Sequence, residues 1–357
     1  MEDLVFVVIV AVRLLVPLSI PRFPLPGVVA ALIIDAADQT VFAALDAEPG
    51  NYQQFDKALD IYYLAIAYLS TLRNWTDGIA FRVAQFLWYY RLIGVAAFEL
   101  SGVRALLLIF PNTFEFFFIF YELVRVCWEP SSLRRKVVVG AAAAIWVFIK
   151  LPQEFWIHIL QLDATEVLSE NPGVLVALVV LGVVAGAYLN RWWATLPPAD
   201  WRPTFQVDAH ATTVVGRAAD GPIGKLRLLE HPLIEKTFLV SLVIVIFLQL
   251  VDDNDAGVIE IMIGVGAVIV ATSFVEQWVA SRRDSWQRFT SFACSCAINV
   301  GIVIVLGLLP LHVVDDDPGV LFTWFLLLLL AFIVTIYDRY RMLRYESFKA
   351  LSTVSTS

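Results

Sequence analysis

Three stretches of this chain, residues 173–190, 289–314 and 318–337, contain no Asp, Glu, Lys or Arg. About 20 apolar residues, each rising ~1.5 Å along a helix, cross the ~30 Å hydrocarbon layer of a bilayer. Eight more apolar blocks of comparable length are set off by short charged segments. The expected spans are residues 4–20, 27–46, 58–75, 83–99, 105–124, 137–160, 174–190, 237–251, 257–280, 289–309 and 319–337. Composition points the same way: 59% of the 357 residues are apolar and 16% charged, against about 25% charged in a soluble domain. The expected fold is all-α, a polytopic helical membrane protein of about 11 transmembrane helices, arranged seven plus four. Global disorder and nucleic-acid binding are excluded. The third span is the least secure on length, with only twelve uncharged residues between Asp60 and Arg73, about 18 Å of helix. It must extend back through Gln54–Asp60, or else be a re-entrant segment that inverts the first two helices.

Basic residues mark cytoplasmic loops because they resist translocation. Alternate loops hold 20 of the 25 Lys and Arg, including Arg73 and Arg82, Arg134, Arg135 and Lys136, and Arg282, Arg283 and Arg288. The opposite loops hold only Lys57 and Arg104, beside acids such as Asp315, Asp316 and Asp317. This predicts a multi-pass cell-membrane protein with its N-terminus outside and its C-terminus cytoplasmic. Glu2 and Asp3 replace the basic region of a signal peptide, so the first segment is expected to be a retained helix. Residues 1–196 are expected to form a seven-helix domain, 197–236 a cytoplasmic linker or small subdomain, 237–340 a four-helix domain, and 341–357 a cytoplasmic tail. The linker contains Pro197, Pro198 and Pro203 and a hairpin signal at Thr204–Arg217. Cys127, Cys294 and Cys296 form no disulfide framework by count or position.

A charge at mid-membrane costs roughly 2.5–3.5 kcal/mol on insertion scales, so such residues face partners or a wet cavity. In the four C-terminal spans only Glu260 and Glu276 stand out, both near span ends. The N-terminal seven hold Asp35 and Asp38, Arg91, Glu115, and Lys150, Glu154 and His158. Asp35, Arg91, Glu115 and Lys150 fall within about two residues of their span midpoints, a ~3 Å tolerance. Two acids should therefore meet two bases at one level, with Asp38, Glu154 and His158 lining the outer half. Pro111 withholds a donor from the carbonyl of Leu107, predicting a kink where Asn112 and Thr113 become available. Pro152 repeats the device between Lys150 and Glu154. Interrupted helices of this kind build substrate and ion sites in carriers.

Several chemistries are unsupported. Asp77–Arg82 resembles the D-G-x-x-A-R opening of the CDP-alcohol phosphotransferases, but Phe81 stands at the alanine and Arg91 at the downstream glycine. No lysine lies within 174–190 for a retinal Schiff base, and no G-x-x-x-x-G-K-[ST], H-E-x-x-H or C-x-x-C occurs. Asp35, Asp38, Glu115, Glu154 and His158 together offer oxygen-rich metal ligands, although Lys150 opposes a cation nearby; metal and cofactor content stay open. The leading expectation is a secondary carrier coupled to protons or cations, or a channel, with Asp35, Asp38, Arg91, Asn112, Glu115, Lys150, Glu154 and His158 on the pathway of a small ion or small polar or amphipathic solute. The alternatives are an intramembrane enzyme acting on a lipid or isoprenoid, and a non-catalytic assembly factor whose basic loop binds a partner. The bilayer is the expected environment, and self-association into a homo-oligomer is left open.

Overall fold

The computed structural model describes residues 2–44, 52–128, 134–160, 205–207, 232–250 and 318–354, with isolated positions between 173 and 191. About nine-tenths of the interpretable residues are helical and none is in a strand, which makes the protein all-α. In chain order the helices are α1 (Glu2–Leu15), α2 (Pro24–Ala44), α3 (Tyr52–Asn74), α4 (Gly78–Ser101), α5 (Ala105–Ile109), α6 (Thr113–Cys127), α7 (Arg135–Ala144), α8 (Leu151–Glu154), α9 (Pro232–Gln249) and α10 (Pro318–Val354). The segments 174–190, 257–280 and 289–309, three of the expected spans, lie outside the described residues apart from isolated helical positions in the first. So do Cys294, Cys296 and nearly all of the linker. Cys127 closes α6 as a free thiol.

Helix α3 is the axis of the bundle. It runs unbroken for 23 residues, roughly 34 Å, and includes the Gln54–Asp60 turns that a full crossing demands. Every residue from Ile61 to Leu72 is buried. A helix apolar on all sides is stable only when surrounded by other helices. α1 runs parallel to it, with Phe6 on Phe55 at one level and the Tyr62 hydroxyl bonded to the Leu14 carbonyl at another. α10 also runs parallel, setting Phe322 and Phe325 on Phe55, Phe332 on Tyr62, and Arg344 against the Trp75 carbonyl. α4 is antiparallel: Tyr68 meets Phe81 and Trp88, while Lys57 pairs with Glu99 at the far end. α9 follows α4, with Phe238 on Tyr89. The two described helices beyond the linker thus share one core with the helices before it.

Local chemistry sets the ends and breaks. Asp77 caps α4 by accepting the Ile79 N–H at 2.7 Å, and the helix stops at Gly102, whose φ of 69° a side chain would oppose. The D-G-x-x-A-R-like segment is thereby a helix start. At Pro111 the structure corrects the expected kink to a complete interruption: the chain leaves helical geometry at Phe110 and resumes only at Thr113. Gly94 makes this fit possible, since a Cβ there would lie 2.1 Å from the Phe110 Cβ. At Pro152 the missing donor is absorbed by π-helical turns at Ile145–Lys150 and Phe155–Leu160 on either side of α8.

Apolar side chains also cover the outside, including Ile33, Leu15, Val183 and Phe148, which is 78% exposed. Two described segments, Ala105–Cys127 and Arg135–Ile157, are long and apolar enough to cross a membrane by length and composition. The second has 28% of its apolar window buried, the opposite of a soluble core helix.

Candidate functional site

The first cluster sits in the N-terminal half of α3 and centres on Arg13, a buried residue of α1. Its Nη1 donates to Asp38 (2.5 Å), to the Tyr52 hydroxyl (2.9 Å) and to Asp56, and its Nη2 donates to Asp60 (2.7 Å) and Asp35. Tyr52 in turn donates to Asp38. Three helices supply these groups: α2 presents Asp35 and Asp38 one turn apart, and α3 presents Asp56 and Asp60 at i, i+4. One guanidinium thus faces four carboxylates. The cluster is not sealed, because the Asp35, Asp56 and Asp60 side chains are 35%, 28% and 45% exposed. Asp35, expected to meet Arg91 or Lys150 at mid-membrane, pairs with Arg13 instead. Arg13 lies as deep in the first span as Asp35 does in the second, a coincidence of depth that the sequence holds.

The second cluster is the expected meeting of acids and bases, with Glu154 in the place anticipated for Asp35. Lys150 approaches Glu115 at 3.7 Å and Arg91 approaches Glu154 at 3.9 Å. The break at Pro111 supplies backbone groups to both. Arg91 donates to the Phe110 carbonyl at 3.0 Å, and the Asn112 N–H donates to Glu154 at 3.1 Å. The Asn112 side chain donates to Glu115 Oε2 at 3.0 Å. Lys150 lies 4.0 Å from the centre of the Phe116 ring, a favourable place for an ammonium. Lys150, Glu115 and Glu154 are buried, and the quartet is electrically balanced. His158 belongs to the second π-helical turn, and its side chain lies outside the described residues.

Tyr63 connects the two clusters. Its hydroxyl donates to Glu115 Oε1, and Tyr63 also lines a pocket together with Arg13 and Asp35. Val16, Pro17, Ala31, Ile34 and Leu59 complete the wall. The pocket volume is about 10 Å³, room for about one water molecule and no organic solute.

A third cluster ties α9 and α10 to the C-terminal half of α3. Glu235, fully buried, accepts from Tyr68 at 2.5 Å and Gln85 at 2.9 Å, and Arg341 lies 3.0 Å from its other oxygen. Lys236 pairs with Asp338 at 2.8 Å. Arg344 crosses the Phe81 ring at 3.6 Å and donates to the Trp75 carbonyl, covering the end of α3. Buried charge is therefore not confined to the N-terminal helices, as had been expected. Glu235 escapes a sequence reading because hydropathy starts the eighth span at residue 237, whereas α9 begins at Pro232. Nearby, Glu122 pairs with Arg125 at i, i+3 and also accepts the Trp75 indole N–H at 2.6 Å.

Comparison with protein-family models, with curated proteins and with solved structures returned no match.

Proposed function

We infer that the chain is a multi-pass membrane carrier coupled to protons, with the Arg13 cluster as its outward-facing uptake site and the Arg91, Glu115, Lys150 and Glu154 quartet as its mid-membrane element. The observation that carries this reading is the imbalance at Arg13. Four carboxylates within reach of one guanidinium repel one another, and the surplus is relieved by binding protons or a small cation. Partial exposure of three of them supplies the route from solvent. A pocket of one-water size favours a proton or bare ion over an organic solute at this place.

The membrane setting has independent support. Apolar side chains cover the outside while ionisable ones gather inside, the reverse of a soluble domain. Helix directions agree with eleven crossings: α3 and α10, both expected to run from outside to inside, are parallel. α4 and α9, both expected to run the other way, are parallel as well. The spans expected between them from sequence keep that parity, which goes with an N-terminus outside and a C-terminus in the cytoplasm.

The test is ion flux in proteoliposomes loaded with a pH-sensitive dye, under imposed proton and cation gradients. Asp35→Asn combined with Glu115→Gln is expected to abolish pH-dependent flux. Unchanged flux would remove the carrier assignment of these acids. One observation favours a metal-dependent intramembrane enzyme instead: oxygens of Asp35, Asp38 and Asp56 lie within 4.8 Å of one another. The Arg13 guanidinium bonds all three, so an ion would have to displace it. Stoichiometric iron, manganese or zinc in the purified protein, lost in Asp38→Ala, would favour the enzyme.

A further inference from the structure

We propose that Tyr63 is the relay that passes a proton between Asp35 and Glu115, through one water held in the pocket they share. The proposal rests on the proton-coupled reading above and names the residue through which its two clusters communicate.

A relay needs a hydroxyl within hydrogen-bond reach of an acceptor on one side and of a donor, directly or through a water, on the other. Tyr63 meets the first condition in its bond to Glu115 Oε1. It meets the second by lining the pocket that Asp35 and Arg13 also line. The polar residues among its lining are Asp35, Arg13 and Tyr63, so a water placed there would draw on a carboxylate, a guanidinium and a phenol, within the two to four partners that hold a buried water, and the remaining wall is apolar. The charged groups around Tyr63 come from four helices: Arg13 from α1, Asp35 from α2, Asp60 from its own helix and Glu115 from α6. Lys150 and Asn112 hold the other oxygen of Glu115, leaving Oε1 to Tyr63.

The inward step balances without a further reagent. Tyr63 gives its hydroxyl proton to Glu115 Oε1 as the pocket water gives one of its protons to the Tyr63 oxygen. The acid proton of Asp35 then restores the water. The Asp35 O–H bond is broken and the Glu115 O–H bond is formed, and tyrosine and water end as they began. The phenol is then left accepting from protonated Glu115 and donating to the water; once Glu115 has passed its proton on, the hydroxyl rotates back to donate to Glu115 and accept from the water before the next transfer.

The test is time-resolved infrared spectroscopy of the full-length protein in lipid after a drop in external pH. Carboxylic-acid bands are assigned with Asp35→Asn and Glu115→Gln. In the wild type the Glu115 band is expected to rise together with the Asp35 band. In Tyr63→Phe the Asp35 band should rise normally and the Glu115 band should lag by roughly 100-fold. 3,5-Difluorotyrosine at position 63 keeps the hydrogen bond while making the hydroxyl more acidic, so it should change the Glu115 rate; a merely structural role would leave that rate alone. Equal rates in all three proteins would overturn the relay, as would a Glu115 band absent from the wild type while the Asp35 band titrates. If neither band responds in the wild type, the proton-coupled reading itself is wrong.

Discussion

The Arg13 cluster and the mid-membrane quartet use the same kinds of side chain in opposite ways. Around Arg13, one base faces four acids and three of those acids have partly exposed side chains. In the quartet, two bases face two acids, and broken backbone at Phe110–Asn112 supplies further hydrogen bonds. A buried balanced set resists the loss of any member, because each removal leaves a partner uncompensated. An acid-rich set should resist the loss of its base and tolerate the loss of an acid. The contrast separates a structural ion network from a site able to change its proton count.

The largest effect is expected for Arg13→Gln, which leaves four carboxylates without their cation. A loss of about 3–5 kcal/mol should appear as a lower unfolding midpoint in detergent, followed by tryptophan fluorescence, or as loss of folded protein. Adding Asp38→Asn and Asp56→Asn should recover part of it. A single variant that melts like the wild type would break the comparison at its first side. Next comes Lys150→Met, expected to cost about 3 kcal/mol by stranding Glu115. The same assay should show most of this returned in Lys150→Met with Glu115→Gln, because that pair leaves no unbalanced charge. Tyr52→Phe removes a hydroxyl shared by Asp38 and Arg13 and should cost about 1 kcal/mol in the same melts. The smallest change sharpens the comparison most: Asp60→Asn should leave the midpoint unmoved or raise it, whereas Glu115→Gln should lower it. Matching signs in these two variants would erase the proposed difference between the clusters.

Much of the quartet is legible in sequence because depth along a helix is a count. Arg91, Glu115 and Lys150 lie near the middle of their spans, and a constant rise per residue brings them to one level whatever the bundle's arrangement. Pro111 announces a break, since a missing donor is a local fact. Whether that break is a kink or a full interruption depends on a neighbour, namely Gly94 of α4, which clears space for Phe110. Asp35 and Asp38 show the limit of counting depths. Arg13 and Arg91 are both plausible partners by level, and only the placement of α1 beside α2 and α3 assigns these acids to Arg13. Glu235 was hidden by a span boundary set from hydropathy. The helix actually begins earlier and carries its first turn, charge included, into the shared core.

Composition and the spacing of charges decide that this chain is helical, that apolar faces cover its outside, and which ionisable groups share a level. These properties follow from the period of the helix and from the cost of an exposed charge in hydrocarbon, and both act within single segments. Which base an acid meets, that α10 lies along α3, and that Tyr63 stands between two clusters were decided only by the tertiary structure. Lateral order in a bundle arises from side chains of distant segments fitting one another, and no periodicity along the chain encodes which helix will be the neighbour.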